Sequence, residues 1–204
     1  MECSMRRLLP DHRLYLAAWG DAPNPLRFLH LFRETWQEIG LSHRRDLLSA
    51  WRGSIIYSGA KLRHRPEGSP PPFPAVSITD IPFTDEPKAQ KPGRYLHATR
   101  QMKFFSPTLY CLPDVYARCI IGHELAHLQL LADPENADRY SEEHRLCTEN
   151  PANYNIEFQG VELDADEHAQ HAYDLPVDEC EAWRHEHQDE LDRIIRDRFD
   201  VVFE

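Results

Sequence analysis

Between residues 24 and 51, apolar side chains return at three- and four-residue steps. Leu26, Leu29, Phe32 and Trp36 fall on one stripe, the spacing of a helix with a single buried face. Gly40 interrupts the run, and Ser42 stands where it can cap a second helix carrying Leu47, Leu48 and Trp51. Over residues 53–112 the period shortens. "PEGSPPPFP", 66–74, reads as a loop, since consecutive prolines hold neither a helix nor a central strand. Around it, "SIIYSG", "AVSIT", "GRYLHATRQMKFF" and "TLYCL" are short and rich in β-branched and aromatic residues. They predict a small antiparallel sheet of about three to five strands.

The helical period returns at residue 114. Asp114, after Pro113, is placed as an N-cap, and the helix should run to about Ala132, where "DP" stops it. Residues 133–160 are polar, with several Asn and Pro, and predict an irregular excursion with at most a short helix. A helix over about 161–174 follows, closed by Pro176. A last helix starts at Asp178, with Glu181 as its capping-box partner. Cys180, Trp183, Leu191, Ile194, Ile195 and Phe199 form its apolar side.

Composition narrows the class. The chain has 204 residues, 41% hydrophobic and 28% charged, a globular balance with room for one domain and a core. The pattern divides 1–204 into a helical part over 1–52, a sheet over 53–112 and a helical part over 113–204. No apolar run reaches the length of a bilayer span, and Asp11, His12 and Arg13 break the apolar stretch that an export signal would need. Cys3, Cys111, Cys119, Cys147 and Cys180 include no C-x-x-C pair, which points to free thiols and a cytoplasmic location, with Cys119 and Cys180 buried. The net charge of -11 disfavours a nucleic-acid backbone as partner. Residues 1–110 hold 16 Lys and Arg against 10 Asp and Glu, whereas 111–204 hold 7 against 24. The acidic excess therefore lies in the C-terminal half, as solvated helix faces, as a surface for a basic partner, or as a face folded back on the basic N-terminal half.

"CIIGHELAHLQLL", 119–131, carries the candidate chemistry. On a helix His123 and His127 lie one turn apart on one face, so their nitrogens can converge on one ion. Glu124 stands beside the first histidine and can serve as a general base next to a Lewis acid. With 12 histidines in the chain, chance supplies such a motif roughly once in twenty sequences of this kind. The surroundings add weight. Cys119, Ile120, Leu125, Ala126, Leu128, Leu130 and Leu131 make the helix apolar nearly all round, so it is buried and its polar groups need partners. A zinc site needs a third protein ligand. In "GVELDADEHAQHAY", 160–173, Glu162 and Asp166 lie one turn apart, and Ala165 and Ala169 leave that side free for close helix approach. Glu162 would be the third ligand, and Asp166 would accept a hydrogen bond from the far nitrogen of a ligating histidine. Asp164, Glu167, His168 and His171 compete for the ligand position but fit the inward stripe less well. His185 and His187 read as surface residues.

"HELAH" followed by "ELDAD" resembles the gluzincin metallopeptidases, H-E-x-x-H and then E-x-x-x-D on a second helix. "ELDADEHA" also resembles the E-x-[ED]-A-[DN]-x-x-A segment of the HtpX-type proteases and of the ImmA/IrrE-type regulators. The resemblance spans roughly residues 114–176. It implies an α+β, zincin-like fold, with a small antiparallel sheet on an active-site helix and further N- and C-terminal helices. It implies Zn2+ held by His123, His127 and Glu162, Glu124 as base, and hydrolysis of a protein or peptide substrate. An edge strand of the sheet would hold that substrate extended. A further donor would stabilise the oxyanion; Tyr140, His144, Tyr154 and Tyr173 qualify by type, and nothing in the sequence chooses among them. The alternative is a metal-binding regulatory module with little or no proteolytic activity. Nothing in the pattern sets the oligomeric state.

Overall fold

A computed structural model describes residues 3–12, 14–59, 74–79, 93–96, 101–149 and 159–199. Among these the fold is α+β, with eight helices and a five-stranded mixed sheet. The chain opens with a hairpin, β1 (Cys3–Arg7) and β2 (Tyr15–Trp19), paired antiparallel from Cys3↔Trp19 to Arg7↔Tyr15. Helices α1 (Pro25–Glu38) and α2 (Leu41–Gly59) follow. Then come β3 (Pro74–Thr79), β4 (Gly93–Leu96) and β5 (Gln101–Phe105). The remainder is helical: α3 (Ser106–Cys111), α4 (Asp114–Leu130), α5 (Pro134–Glu149), α6 (Gln159–Ala172), α7 (Val177–Glu186) and α8 (Gln188–Phe199).

The strand order is β1-β2-β3-β5-β4. The sheet is mixed where the pattern predicted antiparallel pairing. Between β2 and β3 the described chain forms α1 and α2, and such a helical crossover returns the chain in the same direction. Accordingly β2–β3 and β3–β5 are parallel, while β4 closes antiparallel on β5 as an edge. Leu16, Ala17 and Ala18 of β2 are all buried, as befits a strand covered on both faces.

Other expectations also shift. "SIIYSG" lies in α2 and "TLYCL" runs through α3, so neither is a strand. Leu29, Phe32 and Trp36 bury α1 as the stripe predicted, joined by Phe28 and Leu31, but Leu26 is exposed. Trp51 of α2 stacks on Trp36 at 5.8 Å between ring centroids. α2 starts from Gly40, whose carbonyl accepts the Arg44 amide at 3.0 Å, ahead of the predicted cap Ser42. Pro113, not Asp114, precedes the first turn of α4. The Asp114 carboxylate is taken by Arg27 at 2.5 Å, and the same guanidinium donates to the Leu109 and Leu112 carbonyls at 2.7 and 2.8 Å. This one arginine fastens α1 to the turn that launches α4. The excursion predicted after residue 132 contains the 16-residue helix α5. "DP" ends α4 but also starts α5, because Asp133 accepts the Glu135 amide at 2.9 Å with Pro134 in the first turn. The predicted last helix is two, α7 and α8, divided at His187, whose Nδ1 lies 2.9 Å from the Trp183 carbonyl oxygen.

α4 sits at the centre, packed on α1, α2, α6, α7 and β4. Ala117, Cys119, Ile121, Leu125, Ala126 and Leu128 are essentially inaccessible. Gly122 makes room for the chain leaving α6: a Cβ there would stand 2.1 Å from Leu175 Cδ1. Val161, Ala165 and Ala169 bury the inner stripe of α6, so the small residues do allow the close approach to α4 that the sequence suggested. Cys111, Cys119 and Cys180 are free thiols, the last two buried. No helix among the described residues is long and apolar enough to cross a membrane.

Candidate metal centre

The burial of α4 forces the question of what its polar side chains meet. His123 and His127 point to the same side, their rings edge-on with centroids 4.6 Å apart. α6 brings Glu162 onto them. His123 Nε2 lies 3.1 Å from Glu162 Oε2 and 3.0 Å from His127 Nε2, and His127 Nε2 lies 3.5 Å from the same carboxylate oxygen. Two ligand atoms of a tetrahedral zinc site with 2.0–2.1 Å bonds stand about 3.3–3.4 Å apart. The three contacts bracket that spacing, so the trio can hold a metal ion.

The donor chemistry points the same way. His123 Nδ1 is 2.6 Å from Asp166 Oδ1, a contact that requires a proton on that nitrogen. A neutral His123 then presents a lone pair at Nε2, aimed at a carboxylate oxygen and at a second imidazole nitrogen. Such a cluster of acceptors needs a positive charge among them. Without metal a proton supplies it. Burial opposes charge on His123, but the hydrogen bonds it donates to Asp166 and Glu162, and the nearby Glu124, carry its pKa up to about 10. Burial keeps His127 on the neutral side, only partly offset by Glu162. Glu162 resists burial through hydrogen bonds to both imidazoles, which hold its carboxyl well below the usual range.

Access to the trio differs by side. His127 and Glu124 are each 4% exposed, whereas Glu162 keeps about a third of its side chain in solvent. Edge strand β4 covers the inner side. A Cβ on Gly93 would stand 2.5 Å from Glu124 Oε1, so only glycine leaves that carboxylate its place. Two residues on, the Tyr95 ring lies nearly parallel to the His127 imidazole, at 6.2 Å and 11°. Sequence reasoning missed both residues. Their alternate positions on one strand face were the available signal.

The other candidates are placed elsewhere. Asp164 pairs with Arg139 of α5, while Glu167 and His171 are exposed. His168 meets the rings of His43 and Tyr173. Tyr173 donates its hydroxyl to Gln129 Oε1 at 2.7 Å, and Gln129 Nε2 donates to His43 Nδ1 at 2.9 Å. Tyr173 is thus spoken for outside the trio. Tyr140 is half-buried against the core. Tyr154 lies outside the described residues, as does the side chain of His144. His187 stacks on Trp183, and His185 is exposed.

No protein-family model, curated protein or solved structure matches the chain. The site therefore stands on its own geometry.

Proposed function

We propose that this protein is a zinc-dependent peptidase of the gluzincin kind, with a zincin-like arrangement of α4, α6 and edge strand β4. The observation that carries the reading is the convergence of His123 Nε2, His127 Nε2 and Glu162 Oε2 within 3.0–3.5 Å, with Glu124 beside them on α4. Two imidazoles and one carboxylate suit zinc, and catalytic zinc sites use three protein ligands. When bound, the ion lowers the pKa of a water toward 7 and polarises a carbonyl. The remaining work falls to the chain. Glu124 takes the proton from the attacking water and returns it to the leaving amine. Asp166 fixes the tautomer of His123 and strengthens it as a ligand. Among the described residues β4 pairs with β5 alone, and its other side is the natural seat for an extended peptide.

Purified protein should carry one zinc per chain by elemental analysis. It should cleave a broad peptide library, and a chelator should stop it. Glu124→Gln should keep the metal and lose the cleavage. A zinc-loaded Glu124→Gln protein that hydrolyses as well as the parent would refute the role of Glu124. A second reading, a metal-binding regulatory module with little proteolysis, draws on the burial of Glu124 under Gly93. A zinc-bearing protein inert toward the library would favour it.

A further inference from the structure

The two imidazoles of the centre are held in different ways. A ligating histidine is ordinarily oriented by a hydrogen bond from its other ring nitrogen. His123 has that bond, to Asp166 at 2.6 Å. His127 does not: its Nδ1 is buried and has no hydrogen-bond partner among the described residues. Rotation of its ring must be limited by packing. Two rings do this, the edge-on imidazole of His123 at 4.6 Å and the Tyr95 ring, offset and nearly parallel at 6.2 Å and 11°. This spacing is within the range of offset aromatic stacks. Tyr95 is itself anchored, 7% exposed and registered opposite Met102 of β5.

We infer that Tyr95 is a positioning residue, its ring face fixing the His127 imidazole as the Asp166 carboxylate fixes that of His123. The metal-affinity part of this rests on the reading proposed above; the stacking part does not. The strand geometry accounts for the pairing. Gly93 and Tyr95, two apart on β4, share one face. Glu124 and His127, three apart on α4, share one helix side. Four residues of edge strand therefore govern the surroundings of both the base and the second ligand.

The test uses the full-length chain as Tyr95→Phe and Tyr95→Leu, with Asp166→Asn for comparison. Each is titrated with Co2+ alone, followed by its visible d–d absorption, and studied metal-free by NMR with labelled histidines. Tyr95→Leu should bind Co2+ about tenfold more weakly with an altered d–d band, by analogy with loss of an outer partner of a ligand. Tyr95→Phe, which keeps the ring, should match the parent. In the metal-free protein the His127 ring protons should carry a ring-current shift, lost in Tyr95→Leu and kept in Tyr95→Phe. A Tyr95→Leu protein with parental Co2+ affinity, band and His127 resonances would overturn the inference. If the parent takes up no Co2+, the metal reading fails, and the His127 resonances still decide the stacking. If Tyr95→Leu does not fold, contacts between the Tyr95 and His127 ring protons in the parent decide it, and their absence would overturn it.

Discussion

Asp166 touches His123, and Gly93 faces Glu124, without either belonging to the His123–His127–Glu162 trio. Asp166→Asn would keep the shape but lose the charge that holds the Nδ1 proton of His123. Zinc affinity should fall between about tenfold and a hundredfold, measured by competition with a coloured chelator. Gly93→Ala should leave that affinity near the parental value while displacing the Glu124 carboxylate, since its Cβ would stand 2.5 Å from Oε1. Library cleavage should drop sharply, with the metal retained. His123 supplies a third expectation. Its pKa of about 10 means the metal-free site is protonated at neutral pH. Zinc binding at pH 7–8 should then release about one proton per ion, read by calorimetry in buffers of differing ionisation enthalpy.

At the scale of elements, Arg27 is the joint to test. Arg27→Ala would strip donors from the Leu109 and Leu112 carbonyls and the Asp114 carboxylate together. A loss of about 1–3 kcal/mol is expected in urea unfolding, the cost of leaving part-buried acceptors unmatched. The helices of the centre were legible because their signal is local. α4 is announced by an apolar run with two histidines at helical spacing, and α6 by Glu162, Ala165, Asp166 and Ala169 on successive turns. The first two strands were not. β1 is "CSMRR", whose alternation lasts only four residues and includes no β-branched or aromatic side chain, and β2 holds "LAA", which favours helix as readily as strand. β2 takes its strand character from β3, more than fifty residues away along the chain, and β1 from its hairpin pairing with β2. α5 was hidden for another reason. It is polar on most sides, steadied by pairs such as Arg145–Glu142 and Arg139–Glu143 rather than by one apolar face. The convergence of the trio was readable residue by residue, whereas the cover that β4 places over it required the fold.

Across the whole molecule the centre couples stability to pH. His123 is raised from 6.5 to about 10, so its contribution is complete below about pH 6.5 and is lost as pH climbs through 10. His127 is lowered from 6.5, so stability falls as pH drops below that value. Glu162 is depressed from 4.5, and its contribution disappears under further acidification. The metal-free protein should thus have its highest melting temperature near pH 6.5, with losses on both sides in a series of thermal scans. On the proposed reading, saturating zinc would replace the proton between the imidazoles, so the gain in melting temperature on adding zinc should widen from pH 6 to pH 9. A chelator should lower the melting temperature of the zinc-loaded protein, because one ion would tie α4 to α6.

The pairing of β4 with β5, Gly93 opposite Phe104 and Tyr95 opposite Met102, carries a topological consequence. Strand side chains alternate, so a slip by a single residue would invert the whole strip. The backbone notch above Glu124 and the ring beside His127 would turn away together. One inserted residue just ahead of β4 would therefore rearrange the surroundings of Glu124 and His127 from outside the trio, with His123, His127 and Glu162 all still in the chain.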